Sequence, residues 1–284
     1  MTIQQIRSRY HQNICRDILG LKSGVPSVAD RSSKTSVTIS QKLLQKIGHP
    51  PCPSPPDGQT AGAKFSQHTL DFLNDSFKML AHLRPGEWIF SASQADPGIA
   101  AFDQYEHLAA LADVLDQNPA LRAGLGGDYL ITPDIVIGRM PIADSAINSQ
   151  KVIIGEKDKV SKLTPLRATN MPSAKPILHA SISCKWTMRS DRAQNTRTEA
   201  LNLIRNRKGH TPHIVAVTAE PMPTRLASLA MGTGDIDCVY HMALIELRES
   251  LKETKNEDQI EVLSVLVEGR RLRDISDLPF DLAI

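Results

Sequence analysis

Residues 177–186 read Ile-Leu-His-Ala-Ser-Ile-Ser-Cys-Lys-Trp, an apolar and β-branched run that predicts a buried strand. Side chains alternate between the two faces of a strand. One face therefore carries Ala180, Ile182 and Cys184. The other face carries Ser181, Ser183 and Lys185, so a lysine is expected beside two hydroxyl groups.

Two carboxylates flank this strand in the sequence. Asp134 lies in the run Tyr129-Leu-Ile-Thr-Pro-Asp-Ile-Val-Ile137, which predicts a second strand that a carboxylate interrupts. Glu199 lies in a helix predicted over residues 193–207, because apolar side chains recur there at helical spacing and Gly209 follows. A third strand is predicted over residues 213–219. The order is strand, lysine, and then an acid on the next helix.

These residue types suit the hydrolysis of a phosphodiester. That reaction uses a hard cation such as Mg²⁺, which binds one or two carboxylates and keeps several waters. Asp134 is the leading ligand, the backbone carbonyl of Cys184 could complete the metal shell, and Glu199 could bind or orient a metal-bound water. Lys185 would place a positive charge beside the attacking water or the phosphate. Each of these side chains taken singly also fits a purely structural role. Asp134 could cap a turn, Lys185 could be a solvated strand residue, and Glu199 could be an acid on a helix surface.

The segment Arg189-Ser-Asp-Arg192 resembles a base reader, that is, a segment whose side chains recognise DNA bases by hydrogen bonds to their edges. Arginine forks match guanine O6 and N7 in the major groove, and an aspartate can accept from cytosine N4. The pattern therefore suits steps made of G and C. The alternative interpretation is a helix-capping Asp191 between two solvated arginines.

Together, Pro133-Asp134, Ser183-Cys184-Lys185, the 189–192 cluster and Glu199 resemble the CCGG-reading branch of the PD-(D/E)xK nucleases, and within it the NgoMIV-like type II restriction endonucleases. The resemblance extends over nearly the whole chain and is densest over residues 179–240 and 271–282. It implies an α/β fold with a central mixed sheet flanked by helices. It also implies Mg²⁺-dependent cleavage of both strands of duplex DNA at a CCGG-containing palindrome.

The resemblance assigns roles residue by residue. Asp134, the Cys184 carbonyl and Glu199 would bind metal, and Ser183 and Lys185 would flank the scissile phosphate. The DNA contacts would be Arg189, Asp191 and Arg192 at the inner pairs, Arg225 at an outer guanine, Asp30 at its cytosine, and Gln59 in the minor groove. These contacts suggest GCCGGC as the site. The implied partners are a second dimer of this chain, forming a dimer of dimers, and a methyltransferase acting on the same site.

One departure from the family pattern concerns a second acid of the metal site. The family places a glutamate directly after the phenylalanine of a Gly-x-x-Phe segment, whereas Gly62-Ala-Lys-Phe65 is followed here by Ser66 and Gln67. Metal binding would then be weaker, or would depend on Gln67 or Asp71. Two further functions stay open: a sequence-specific DNA-binding protein with weakened or lost cleavage, and a repair or junction nuclease with the same core.

Length and composition agree with these expectations. The 284 residues, 41% of them hydrophobic, can bury a core as one endonuclease domain, with residues 1–60 as a helical, DNA-contacting part and 61–284 as the catalytic core. A 4% aromatic share argues against a base-stacking single-strand binder, and a net charge of +2 requires local basic clusters for phosphate contact. The four cysteines show no zinc or disulfide spacing. A polar start and no apolar run of membrane length predict a cytoplasmic protein.

Other periodic segments predict the rest of the fold. Residues 143–175 have little sustained period and are a candidate insertion or interface segment. A proline-rich connector over 50–58 should deliver Gln59 to the next helix. The predicted helices cover residues 2–19, 39–48, 64–83, 105–121, 224–231 and 236–251.

Overall fold

Six strands form one mixed sheet in the computed structural model, which describes residues 1–92, 98–125, 131–168, 175–188, 190–232 and 234–284. At residues 125 and 190–192 it describes the backbone alone. A two-stranded hairpin, β1 (Leu21–Lys22) and β2 (Val25–Pro26), precedes the sheet. The strands of the sheet, in spatial order, are β3 (Trp88–Ser91), β4 (Ile135–Arg139), β5 (Ile177–Lys185), β6 (His213–Thr218), β7 (Cys238–His241) and β8 (Leu272–Asp274).

The sheet changes direction at β5. Strands β3, β4 and β5 pair antiparallel, whereas β5 to β8 run parallel. Parallel strands covered on both faces are apolar along nearly their whole length. Strand β5 fits this rule, because all its residues except His179 and Lys185 are buried. The mixed, helix-flanked sheet that the sequence predicted is confirmed.

Helices cover both faces of the sheet. Those described are α1 (Ile3–Asp17), α2 (Lys34–Ile47), α3 (Gly58–Met79), α4 (His107–Gln117), α5 (Pro119–Leu125), α6 (Asp144–Ile147), α7 (Ser190–Asn206), α8 (Pro223–Ala230), α9 (Leu244–Thr254), α10 (Glu257–Glu268) and α11 (Leu278–Asp281). Helix α3 packs against β5 on one face. On the other face, Ser183 Oγ lies 3.4 Å from Thr196 Oγ1 of α7. None of the described helices is long and apolar enough to cross a membrane.

Several predicted boundaries were wrong. Helix α2 begins at residue 34 rather than 39, because the Ser33 hydroxyl accepts a hydrogen bond from the Ser36 amide and caps the helix there. Strand β4 begins only at Ile135, so Asp134 precedes the strand instead of interrupting it. The helix predicted over 236–251 is instead strand β7 followed by α9. Strand β8 and helix α10 were not predicted.

The proline-rich connector is held against the first helical layer. The Cys52 amide donates to the Leu19 carbonyl at 2.9 Å, and Lys22 Nζ donates to the Pro56 carbonyl at 2.7 Å. A Cβ atom at Gly20 would lie 2.0 Å from the Cys52 carbonyl oxygen, so this approach requires glycine. Asp57 then caps α3 by accepting from the Thr60 amide at 3.0 Å. The connector thereby delivers Gln59 to α3, as predicted, but α3 covers Gly58–Met79 rather than the predicted residues 64–83.

Candidate active site

Asp134 and Lys185 meet at the carboxyl end of β5. Asp134 Oδ2 accepts from the Cys184 amide at 2.8 Å and from Lys185 Nζ at 3.1 Å. Both side chains are about one-fifth exposed, at 20% and 19%. A backbone hydrogen bond therefore fixes the carboxylate while its oxygens still reach solvent. No described residue donates to Oδ1, which leaves that oxygen available to a ligand.

Glu199 lies on α7 and shares a cleft with this pair. Burial raises the pKa of its carboxyl; the charge of Lys185 lowers that pKa and the charge of Asp134 raises it. The three groups are thus close enough to influence one another. Among the described residues none donates a hydrogen bond to the Glu199 carboxylate. Two carboxylates and a lysine converge as the sequence predicted.

The cleft has a volume of about 720 Å³ and is open to solvent. Gln59, at the start of α3, lines it together with the three charged side chains. The full lining is Gly58, Gln59, Gly62, Ala63, Ser66, Gln67, Ala92, Asp134, Cys184, Lys185, Trp186, Asn195 and Glu199. Helices α3 and α7 therefore form walls on either side of the end of β5.

Ser183 and Cys184 point to opposite faces of the sheet, and of the two only Cys184 lines the cleft. Ser183 is 9% exposed and its hydroxyl faces Thr196 of α7. The Cys184 thiol contacts Ser66 and Thr69 of α3, and burial raises its pKa far above the ordinary range. A thiol held protonated is a poor ligand for a hard cation. Cys184 could therefore serve such an ion through its backbone carbonyl.

The cleft offers few ligands to a divalent ion. Asp134 and Glu199 supply carboxylate oxygens, which suit Mg²⁺. Ser66 supplies none, since its buried hydroxyl donates to the Gly62 carbonyl at 3.2 Å. Gln67 Nε2 donates to Asp71 Oδ1 at 2.9 Å. No group of three metal-binding His, Cys, Asp or Glu side chains occurs in the described part of the chain. Mg²⁺ is commonly bound through only one or two carboxylates and keeps several waters, and Asp134 and Glu199 supply two.

Arg225 and Asp30 form an ion pair at a second cleft, although 195 residues separate them. Asp30 also accepts from the Ser32 amide at 3.0 Å and its hydroxyl at 2.7 Å. Hydrogen bonds from Ser32 and then from Arg225 lower the pKa of Asp30 to about 2. Thr187, two residues after Lys185, lines the same cleft. The two residues expected at the outer base pair are therefore neighbours.

The inner-pair readers fall largely outside the described structure. Arg189 is not among the described residues, and neither are the side chains of Asp191 and Arg192. The backbone of α7 begins at Ser190, so Asp191 lies in its first turn rather than at the cap. Their DNA contacts stay predictions.

Sequence reasoning missed a buried acid behind the second cleft. Glu220 is 1% exposed, and burial raises its pKa to about 7. Its carboxylate accepts from the amides of Met188 and Met222. The only signal in the sequence is an acid placed directly after a strongly apolar strand.

A mixed sheet flanked by helices, with two carboxylates and a lysine meeting at the end of a central strand, defines a restriction-endonuclease-like α/β protein. Comparison with known proteins agrees. The sequence model of the NgoMIV restriction enzyme family matches residues 10–284. The type II restriction enzyme NgoMIV of Neisseria gonorrhoeae is 48% identical over 263 residues, which cover 92% of this chain and 91% of that protein. The chain belongs to the NgoMIV restriction enzyme family, and thus to the type II restriction endonucleases.

Proposed function

We propose that this protein hydrolyses both strands of duplex DNA in the presence of Mg²⁺ at a palindrome with a CCGG core, namely GCCGGC. The observation that carries this proposal is the contact of Lys185 Nζ with Asp134 Oδ2 at 3.1 Å, in a cleft that Glu199 also lines. This arrangement supports a PD-(D/E)xK-type site. The family membership supports the activity.

The residues of the cleft have separate tasks in this proposal. Asp134, Glu199 and the Cys184 carbonyl hold the divalent ion, which when bound activates water and neutralises charge on the phosphate. Lys185, fixed by Asp134, keeps a positive charge beside the non-bridging oxygen or the attacking water. The family resemblance implies that Ser183 flanks the phosphate, whereas its hydroxyl here faces Thr196 of α7, so we propose that Ser183 only supports that helix.

Base reading is assigned to side chains at the two clefts. Arg189, Asp191 and Arg192 read the inner CG pairs, Arg225 takes the outer guanine, Asp30 takes its cytosine, and Gln59 contacts the minor groove. The ion pair between Arg225 and Asp30 supports the outer assignment, because guanine offers acceptors and cytosine a donor to an arginine and an aspartate held side by side. DNA binding would exchange that ion pair for two base contacts.

A palindromic site favours a two-fold assembly, and we propose a dimer of dimers that engages two DNA copies. Residues 143–168 support it, because they expose several large apolar side chains that a second copy could cover. These side chains are Val152, Ile153, Val160 and Leu163. Residues 1–284 would act as one endonuclease domain beside a methyltransferase of the same specificity. The cytoplasmic location stays a prediction.

Ser66 favours a second candidate function. A carboxylate is absent from a wall of the cleft where the family pattern has one, and Ser66 instead turns its hydroxyl back to its own helix. Weaker metal binding would reduce cleavage while leaving base contacts intact. The alternative is therefore a sequence-specific DNA-binding protein with weak or lost cleavage.

Digestion of plasmid DNA tests these functions. The protein is incubated with plasmids that carry or lack GCCGGC, with Mg²⁺, with Mn²⁺ and without metal. We expect discrete fragments only with metal and only from the plasmid that carries the site. Shifted but intact DNA would favour the binding protein. Nicks that depend on DNA structure rather than sequence would contradict the proposal.

A further inference from the structure

Glu220 lies outside the cleft of Asp134, Lys185 and Glu199. It follows β6 in the short connection to α8, and only 1% of its surface is exposed. Its own amide donates to Thr218 Oγ1 at 3.1 Å, which fixes the backbone at the end of β6. A carboxylate in such a place loses its hydration, so its hydrogen bonds must replace the lost water.

The two oxygens of Glu220 bind two different segments. Oε2 accepts from the Met188 amide at 2.8 Å, and Oε1 accepts from the Met222 amide at 3.1 Å. Met188 is the last described residue before position 189. Met222 directly precedes α8, the helix that carries Arg225. One side chain thus joins the segment leading to residues 189–192 to the start of α8.

Glu220 also influences the charges at the second cleft. Its Oε1 lies 4.0 Å from Arg225 Nη1, while Nη2 of the same guanidinium binds Asp30. Arg225 is about one-third exposed at 34%. The guanidinium therefore lies between Asp30, which is partly exposed, and Glu220, which is buried. If Arg225 leaves Asp30 for a base, Glu220 still faces it from behind.

We propose that Glu220 is a positioning residue for sequence discrimination, because its buried carboxylate fixes the Met188 amide, from which the chain continues to residues 189–192, relative to the start of the helix that carries Arg225. This inference rests on the proposed function, which assigns base reading to those residues. Glu220 itself touches no base. It acts by fixing the backbone at Met188 and Met222 and by orienting the guanidinium of Arg225.

Neutralising Glu220 without changing its size tests the inference. Glu220→Gln keeps one oxygen that can accept from a backbone amide, but its NH₂ group then faces the N–H of the other backbone amide. The substitution also removes the negative charge behind Arg225. Relative kcat/KM is measured with Mg²⁺ for GCCGGC, for ACCGGT (outer pair changed) and for GCATGC (inner pairs changed). Equilibrium binding of the same duplexes is measured with Ca²⁺ in place of Mg²⁺. We expect the preference for GCCGGC over both altered sites to fall about tenfold, the size of one misplaced arginine contact.

Asp274→Asn is the matched control. Asp274 is also buried and accepts from the backbone amides of Leu244 and Ser276 and from a guanidinium, but it contacts none of the proposed readers. We expect this control to lower the melting temperature without changing the preference for GCCGGC. A purely structural role of Glu220 would give the same result as the control.

The outcomes separate the inference from the proposed function. If the unaltered protein shows no preference for GCCGGC in cleavage or in binding, the proposed function fails. If it prefers GCCGGC and Glu220→Gln keeps that preference within twofold, the inference alone is overturned. Where Glu220→Gln does not fold, Glu220→Asp is measured, because its shorter carboxylate cannot hold both amides. A failure of both variants to fold would make Glu220 a structural residue and refute the inference.

Discussion

Replacing Lys185 by alanine should slow cleavage by roughly 10²–10³-fold and leave DNA binding intact. Lys185 Nζ lies 3.1 Å from Asp134 Oδ2, and both side chains are about four-fifths shielded from solvent. At this distance and an effective dielectric constant of about 20, a unit charge contributes about 5 kcal/mol of Coulomb energy. Because Lys185 is partly exposed, the Coulomb energy with which it stabilises the charged phosphate in the transition state falls to about 3–4 kcal/mol. Losing that energy corresponds to a rate loss of roughly 10²–10³-fold.

The assay is single-turnover cleavage of a short GCCGGC duplex with excess protein and Mg²⁺, beside gel-shift binding with Ca²⁺. Lys208→Ala is the control, because Lys208 forms an exposed ion pair with Glu106 away from the cleft. We expect the control to cleave at the unaltered rate. Divalent-ion affinity of Lys185→Ala should not fall, since Asp134 loses a competing cation.

Two results would refute this reasoning. Cleavage by Lys185→Ala within tenfold of the unaltered rate would remove the lysine from the chemistry. A loss of DNA binding as large as the loss of cleavage would show that Lys185 contributes to affinity rather than to the reaction.

Three further predictions concern other parts of the fold. Ser66→Glu should tighten Mn²⁺ binding, measured by calorimetry, by roughly tenfold by adding a carboxylate to the cleft; unchanged affinity would show that this position does not reach the ion. Because the pKa of Glu220 is raised to about 7 in the fold, the stability linked to its protonation is greatest below pH 4.5 and is lost as pH rises through 7. The unfolding free energy relative to Glu220→Gln should therefore decrease by up to about 3 kcal/mol between pH 4.5 and 8, and a flat difference in denaturant titrations would contradict the shift. Gly20→Ala should destabilise the protein by about 1–3 kcal/mol because its Cβ would overlap the Cys52 carbonyl, and an unchanged melting temperature would contradict that geometry.

Local patterns predicted the elements that build the cleft. The nine residues of β5 are apolar enough to identify a buried strand, and period two placed Ser183 and Lys185 on one face. Helical spacing identified α7, which carries Glu199. The meeting of Asp134 with Lys185 follows from the antiparallel pairing of β4 and β5, which the sequence does not state but which two adjacent strands favour.

Short elements and distant contacts could not be predicted in this way. Strand β7 has only four residues. Because the apolar spacing of α9 directly follows it in the chain, the sequence predicted one helix over both elements. The pairing of Asp30 with Arg225 joins two loops far apart in the chain, and no local pattern marks either residue. Their proposed role came from the family resemblance. Glu220 had one weak signal, its place after an apolar strand, and its role depends on a burial that the sequence does not show.

The position of a bound ion tests the central claim most directly. We suggest a crystal of the protein with GCCGGC duplex and Mn²⁺, measured at the manganese absorption edge. We predict an anomalous peak bonded to an Asp134 oxygen at about 2.0–2.2 Å, with Glu199 in or next to its shell and Lys185 beside the same phosphate. A DNA complex whose only manganese peaks lie away from Asp134, or whose phosphate lies away from Lys185, would contradict it.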